Sequence, residues 1–283
     1  MKEQMTQIEV GCNLSYEVRK ETLLQLQIAV AQNNFQRTIN ESLLINPNVS
    51  FTAASVGPEN VRLNQVSLPP GVYGIQYRAS VELTPDVDRP TDVRETSIAQ
   101  LPPDTLTYLN PSRYCESDIL CRFAYEEFGN WQPGFTKVQG ICDWVNNHLD
   151  YEPGSTNGTT TATQVLLQRN GVCRDYAHLM ITLCRCIGVP ARYVSGYAVN
   201  LQPPDFHGFV EAFLDGQWYL FDPTKLAPVN GLVRIGCGRD AADVAFGTIY
   251  GDVRLTNKEV WANPVNGNDN FHDDGTNAVS TAQ

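Results

Sequence analysis

The dipeptide Asp215-Gly216 stands between two apolar-rich runs, HGFVEAFL and QWYLFD, and no other short stretch of this 283-residue chain restricts its folding as tightly. A two-residue type I′ loop needs positive φ at both central positions, and Asp-Gly is among the few pairs that tolerate this. Such a loop sets the strand register. Leu214 is expected opposite Gln217, Phe209 opposite Asp222 and His207 opposite Thr224. Side chains alternate between faces of a strand, so His207 and Asp222 emerge on one face as diagonal neighbours, about 7–8 Å apart at Cα and within side-chain reach. The sequence therefore predicts a His–Asp contact.

The rest of the chain divides by pattern. Up to about Pro103 the runs LSYEV, LLQLQIAVA, VSFTAASVG, VRLNQVSL and YGIQYRASVEL alternate polar and apolar residues between Asn, Pro and Gly punctuation, the signature of a β-sandwich. The isolated polar residues there read as the wet face of a sheet. LPPDTLTYLNPSRYCESD, proline-rich and without period, reads as a linker. Helical spacing follows in Val138, Ile141, Val145 and Leu149, again around 162–168, and in a helix beginning near Cys173. In that last helix Tyr176, Met180, Leu183 and Ile187 form an apolar stripe flanked by Cys173, Ala177 and Cys184, and Gly188 with Pro190 supplies the stop. Strand patterns resume in ARYVSGYAV, HGFVEAFL and WYLFD. Helices followed by strands give an α+β fold. The expected organisation is an N-terminal β-sandwich over residues 1–110, a core over 111–261 and a polar tail over 262–283, the tail apolar-poor and flexible by composition.

Composition narrows the function classes. With 31 acidic against 20 basic residues the net charge is -11, and no Lys/Arg cluster stands out, which argues against nucleic acid or an anionic membrane as partner. No apolar run approaches the ~20 residues of a membrane span, and the N-terminus has no leader pattern, so the chain is expected to be soluble and cytoplasmic. Its eight cysteines, at 12, 115, 121, 142, 173, 184, 186 and 237, are scattered and expected to be free thiols. A zinc site among Cys173, His178, Cys184, Cys186 and His207 is disfavoured. There is no C-x2-C pair, and Cys184 and Cys186 would point about 200° apart on a helix. No metal or organic cofactor is expected, and no oxygen-rich loop matches an EF-hand.

The His–Asp pair has a chemical use. A carboxylate on one imidazole nitrogen fixes the tautomer, leaving the other nitrogen to take a proton from a thiol. A thiol at a helix N-terminus beside an imidazolium ionises more readily. Cys173 has that position, just after the turn signal Asn170-Gly171, and the other seven cysteines do not. Two readings of Cys173 stand, a nucleophile or a small core hydrophobe on an apolar stripe. His178, about 140° round the helix from Cys173, is read as a surface or supporting residue rather than the base. His148 and His272, in a helix end and a polar tail, are read as solvated. Asp175, in the first helical turn, is read as a cap.

The segments NGVCRDYAHLMITLCRCIGVPARYVSGY, DFHGFVEAFLDGQWYLFDPT and IGCGRDAADVAFGTIYG closely resemble the transglutaminase-like superfamily, specifically its bacterial cysteine-protease-like members, over about residues 110–255. The β region in front resembles the domain that precedes the core in that group. The resemblance implies a papain-like core with Cys173 as nucleophile, His207 as general base and then acid, and Asp222 as its orienter. It implies acyl transfer on a peptide or glutamine-type amide through a thioester, with a peptide or protein as the partner. Hydrolysis is favoured over transamidation, since nothing in the sequence specifies a site for an amine. The Cys173 N–H would be one oxyanion donor. Tyr151 is a candidate second donor, the alternative being a packing tyrosine. Relatives commonly read His-Ala-Trp where this chain has His207-Gly208-Phe209, a departure expected to alter access beside the histidine. A reading of another class is a catalytically silent peptide-binding or scaffolding protein on the same fold.

Overall fold

The computed structural model describes residues 6–89, 92–265, 271 and 278–282. His272 lies outside them. The first six strands, β1 (Thr6–Val18), β2 (Thr22–Leu26), β3 (Gln36–Asn46), β4 (Thr52–Val56), β5 (Val61–Leu68) and β6 (Gly71–Leu83), supply most of two antiparallel sheets packed face to face. Alternation along β1 and β6 sends Ile8, Val10, Cys12 and Leu14, with Ile75, Tyr77, Ala79 and Val81, into the space between the sheets. β3 has no counterpart in the sequence-based expectation. It is an edge strand with most side chains exposed, so it lacks the alternation by which strands are recognised.

After β7 (Asp86–Arg89) come α1 (Ser117–Phe128), α2 (Phe135–His148), β8 (Asp150–Tyr151), α3 (Ala162–Gln168), β9 (Asn170–Gly171) and α4 (Cys173–Cys186). α1 falls partly inside the stretch read as linker. Its buried residues Leu120, Ala124 and Phe128 recur every four positions amid polar text. α4 is central, every residue from Asp175 to Cys186 being buried. It packs against a four-stranded sheet, ordered β12-β11-β10-β13, of β10 (Ala191–Ala198), β11 (Phe206–Leu214), β12 (Gln217–Phe221) and β13 (Leu232–Gly238). The fold is thus α+β, with the β-sandwich followed by a helix-on-sheet core.

The chain then returns to its beginning. β14 (Gly247–Tyr250) pairs with β2, and β15 (Val253–Pro264) pairs with β1 along almost its full length, so each sandwich sheet takes its fourth strand from the far end of the sequence. Residues 247–261, placed with the core on sequence grounds, belong by pairing to the sandwich, because backbone edges of β1 and β2 are satisfied there. The expectation of a flexible tail is corrected in part as well. β16 (Ala278–Ser280) pairs with β7, and residues 278–282 are buried. The overall polarity of the segment concealed a short run, Ala278–Ala282, that fits a closed site: Ser280 Oγ accepts from Gln217 Nε2 at 2.9 Å, and Thr281 Oγ1 accepts from Arg234 Nη2 at 2.9 Å. Among the described residues no helix is long and apolar enough to cross a membrane.

Candidate active site

The hairpin of β11 and β12 has the register that Asp215-Gly216 requires. Leu214 pairs with Gln217 and Val210 with Phe221, and φ is 47° at Asp215 and 82° at Gly216. Beyond Phe221 the pairing ends, and the diagonal neighbours meet: His207 Nε2 donates to Asp222 Oδ2 at 2.9 Å, both side chains being 1% exposed.

The Asp222 carboxylate is held on every side. Oδ1 accepts from the Thr224 N–H at 2.9 Å and the Thr224 hydroxyl at 2.7 Å, while Oδ2 also accepts from the Ala227 N–H at 3.1 Å. Asn146 of α2 fastens the same turn, its Nδ2 donating to the carbonyls of Pro223 and Thr224, each at 3.0 Å. Burial by itself would raise the Asp222 pKa, but the charge and hydrogen bond of His207 and the bonds from Thr224 hold it below its ordinary value. Thr224 and Asn146 were not singled out as site residues in the sequence. Thr224 has a local signal, since an aspartate two residues before a threonine forms a turn by accepting the i+2 N–H. Asn146 has none.

For His207, burial favours the neutral ring, but the Asp222 charge and hydrogen bond, followed by the Cys173 thiol, outweigh it and carry the pKa up to about 10. Its other nitrogen, Nδ1, is buried with no other side-chain or backbone group bonded to it, and the Cys173 thiol hydrogen-bonds the ring. A buried nitrogen left wholly unpaired costs free energy on the order of 1–3 kcal/mol, so the group that engages it is of interest. Cys173 is that group, the thiol acting on this ring. It is the first residue of α4 and only partly buried, with Cys121 one of two cysteines not enclosed.

The start of α4 is fixed by Asp175 rather than by its N-cap, Val172. The Asp175 carboxylate is fully buried, accepts the Val172 N–H at 3.0 Å and the Thr156 hydroxyl at 2.5 Å, and pairs with Arg174 at 2.8 Å. Its capping role is as expected from sequence. Asn170-Gly171, read as a turn signal, is instead a two-residue strand paired in parallel with Asp150-Tyr151. That pairing delivers Tyr151 to the thiol: Tyr151 lies opposite Gly171, and the Cys173 backbone N–H reaches its hydroxyl oxygen. Burial and the proximity of Cys173 push the Tyr151 pKa up. Cys173, His207, Asp222 and Tyr151 are therefore all brought to one place.

The remaining histidines lie elsewhere. His178 is not at the surface of its helix. It is 1% exposed, Nε2 accepts the Ala241 N–H at 3.1 Å, and the ring stacks on Tyr114 with 4.9 Å between centroids. Its own helix is buried all round, which a stripe of apolar residues does not reveal. Burial keeps it neutral, its pKa pushed down to about 3. His148 is exposed at the end of α2, as expected, stacked on Trp144. Among the described residues no group of three or more His, Cys, Asp or Glu side chains could hold a metal ion.

Gly208 finds its explanation in Tyr193 of β10. A Cβ at position 208 would stand 2.3 Å from the Tyr193 hydroxyl and 2.7 Å from its ring, so glycine leaves room for a tyrosine directly beside His207. Cys173 exerts the largest charge effect on that phenol, which burial and the thiol push upward in pKa. The group that comes close to this glycine is thus the Tyr193 side chain.

Comparisons with known proteins agree with this architecture. Residues 123–223 match the family model of the transglutaminase-like superfamily, and residues 6–104 match that of the bacterial transglutaminase N-terminal domain. A structure from Cytophaga hutchinsonii, described as a "putative cysteine protease", superposes with a TM-score of 0.94 at 35% identity, covering 98% of each chain. An uncharacterised protein of Mycobacterium leprae is 36% identical over 117 residues, 38% of this chain and 42% of that one. Another, from Mycobacterium tuberculosis, is 31% identical over 151 residues, 48% of each. The chain spans less than half the length of these curated relatives. With both family models matched in order and a full-length structural counterpart, the chain belongs to the transglutaminase-like superfamily, its core preceded by the bacterial transglutaminase N-terminal domain.

Proposed function

We propose that the protein catalyses thiol-dependent acyl transfer on peptide or glutamine-type amides, with Cys173 as nucleophile, His207 as general base and acid, and Asp222 as the group that orients His207. The observation that carries this reading is the state of His207: Nε2 bonded to a saturated carboxylate, Nδ1 buried with only the thiol at the start of α4 to engage it. Such an imidazole has one tautomer imposed by the carboxylate and one nitrogen reserved for proton transfer.

In this reading Nδ1 has already taken the thiol proton, as the raised pKa of His207 favours, and the Cys173 sulfur attacks the amide carbonyl carbon with the electron pair this frees. The negative charge that develops on the carbonyl oxygen is received by the Cys173 N–H, which in the resting site is directed at Tyr151. The oxyanion takes over that N–H, and the Tyr151 O–H turns to donate a second hydrogen bond. His207 returns its proton to the departing amine, leaving a thioester. Cys173 is partly exposed, so water can reach the thioester, and hydrolysis is favoured because nothing in the sequence specifies a site for an amine.

The test is mass spectrometry of a peptide library incubated with the protein, with and without a primary amine, against Cys173→Ala. Hydrolytic products, backbone cuts or deamidated glutamine, that vanish in Cys173→Ala are expected. Products only when amine is present would replace hydrolysis by transamidation. No product in any arm would leave a silent, peptide-binding protein.

A further inference from the structure

Two of the cysteines away from the proposed nucleophile converge on one atom. Cys121, on the second turn of α1, donates its thiol back to the Ser117 carbonyl at 2.6 Å, and Cys186, the last residue of α4, donates to the same oxygen at 3.1 Å. The two sulfurs are thus neighbours across a single acceptor, although 65 positions separate them in the chain. The Cys121 thiol also lies within hydrogen-bonding reach of Cys186 itself. Disulfide formation demands two thiols on backbones that approach closely, and α1 and α4, which carry them, pack directly against each other.

From this geometry we infer that Cys121 and Cys186 form a thiol–disulfide site that reversibly ties α1 to the end of α4 opposite Cys173. The co-reactant is a low-molecular-weight disulfide of the glutathione class. Cys121 is the entry point because it is partly exposed, whereas Cys186 is 5% exposed. The Cys121 sulfur attacks one sulfur of the small disulfide, forming a mixed disulfide and expelling the first small thiolate, which takes up the proton Cys121 gives up. The Cys186 sulfur then attacks the Cys121 sulfur and expels the second small thiol, which receives the Cys186 proton. The protein is oxidised by two electrons, losing two hydrogens, and the small disulfide is reduced to two thiols. Burial, and next the Cys121 thiol itself, hold the Cys186 pKa up. Capping Cys121 in the first step removes that second influence and makes the second step easier. The remaining thiols are less suited: Cys12, Cys115, Cys142, Cys184 and Cys237 are all buried.

The test uses the full chain carrying Cys173→Ser, which silences the other partly exposed thiol and makes the outcome independent of the proposed acyl transfer. The folded protein is incubated with oxidised glutathione, blocked with N-ethylmaleimide in denaturant and cleaved with trypsin without reduction. Cleavage after Arg113, Arg122, Arg185 and Arg192 puts Cys121 on peptide 114–122 and Cys186 on peptide 186–192, apart from Cys184. The expected result is a cross-linked pair of these peptides joined through Cys121, a loss of two N-ethylmaleimide labels per chain, and no cross-link in Cys121→Ser or Cys186→Ser. Glutathione stopping on Cys121 as a mixed disulfide, a link through Cys115, or full labelling of every thiol would overturn the inference.

Discussion

Strand β11 carries two buried polar centres on one face, four residues apart. At Glu211 the carboxylate is fully enclosed and met by two guanidinium groups: Arg192 Nε reaches Oε2 at 2.7 Å, and Arg234 reaches both oxygens. Glu59, from the β-sandwich, joins Arg192 and Arg234, so the cluster also ties the sandwich to the core. At His207 the pairing is one-sided, since Asp222 is saturated while Nδ1 has only the Cys173 thiol to engage it. Burial is nearly equal, so burial alone distinguishes nothing. Paired charge on every side holds a structure together, whereas a buried nitrogen left open beside a thiol is a place where a proton can move.

Substitution at the two centres should therefore separate activity from stability. Asp222→Asn is expected to cost about 10^4-fold in turnover while the protein stays folded, because the imidazole loses the carboxylate that sets its tautomer. Glu211→Ala is expected to do the reverse, lowering unfolding free energy by about 3–5 kcal/mol by stranding two buried guanidiniums. Turnover per folded molecule should persist. Chemical denaturation and an amide-hydrolysis assay on both variants read the two effects; equal losses of both properties in both variants would erase the distinction.

The histidines give a pH version of the comparison, with opposite signs. His207, raised from 6.5 to about 10, contributes stability that is complete below pH 6.5 and fades as pH climbs through about 10. His178, lowered from 6.5 to about 3, binds its proton more readily when unfolded, so its burial erodes stability as pH falls from 6.5 toward 3. Each single-proton difference gives a slope of up to about 1.4 kcal/mol per pH unit. Denaturation between pH 4 and pH 10 should show the acid-side slope relieved in His178→Gln and the alkaline-side slope relieved in His207→Gln. Unchanged slopes would contradict the assignment.

Smaller effects are expected at the margins of the site. Gly208→Ala puts a methyl against the buried Tyr193 ring, so a loss of about 1–3 kcal/mol in stability with a few-fold rise in KM is expected, read by denaturation and steady-state kinetics. Lys258→Met removes the 2.5 Å ion pair with Asp205, two residues before His207. Both partners are about a third or more exposed, so its loss should cost less than about 1 kcal/mol, measured by denaturation at low and high salt.

What the sequence revealed follows the range of the forces involved. The β11–β12 register was legible because a two-residue turn is a local constraint, and the His207–Asp222 contact follows from it by counting. The cap at Asp175 was legible for the same reason. No local pattern marks β14, β15 and β16 as strands, since each is specified by an edge far away in the chain, at β2, β1 and β7. His178 illustrates the same limit: an apolar stripe reports one buried face, while the polar ring is enclosed by Tyr114 and the Ala241 backbone from distant segments. The Asn146 clamp on the Asp222 turn joins α2 to a loop more than 70 positions later, with no sequence pattern to announce it.

The central claim is that His207, oriented by Asp222, serves the Cys173 sulfur. The most direct measurement is the rate of iodoacetamide alkylation of Cys173 at pH 6, site by site, in the wild type and in His207→Ala. Stoichiometric labelling of Cys173 at least tenfold faster than of Cys121, and lost in His207→Ala, is the expected result. Labelling of Cys173 no faster than of Cys121, or unaffected by His207→Ala, would contradict the account.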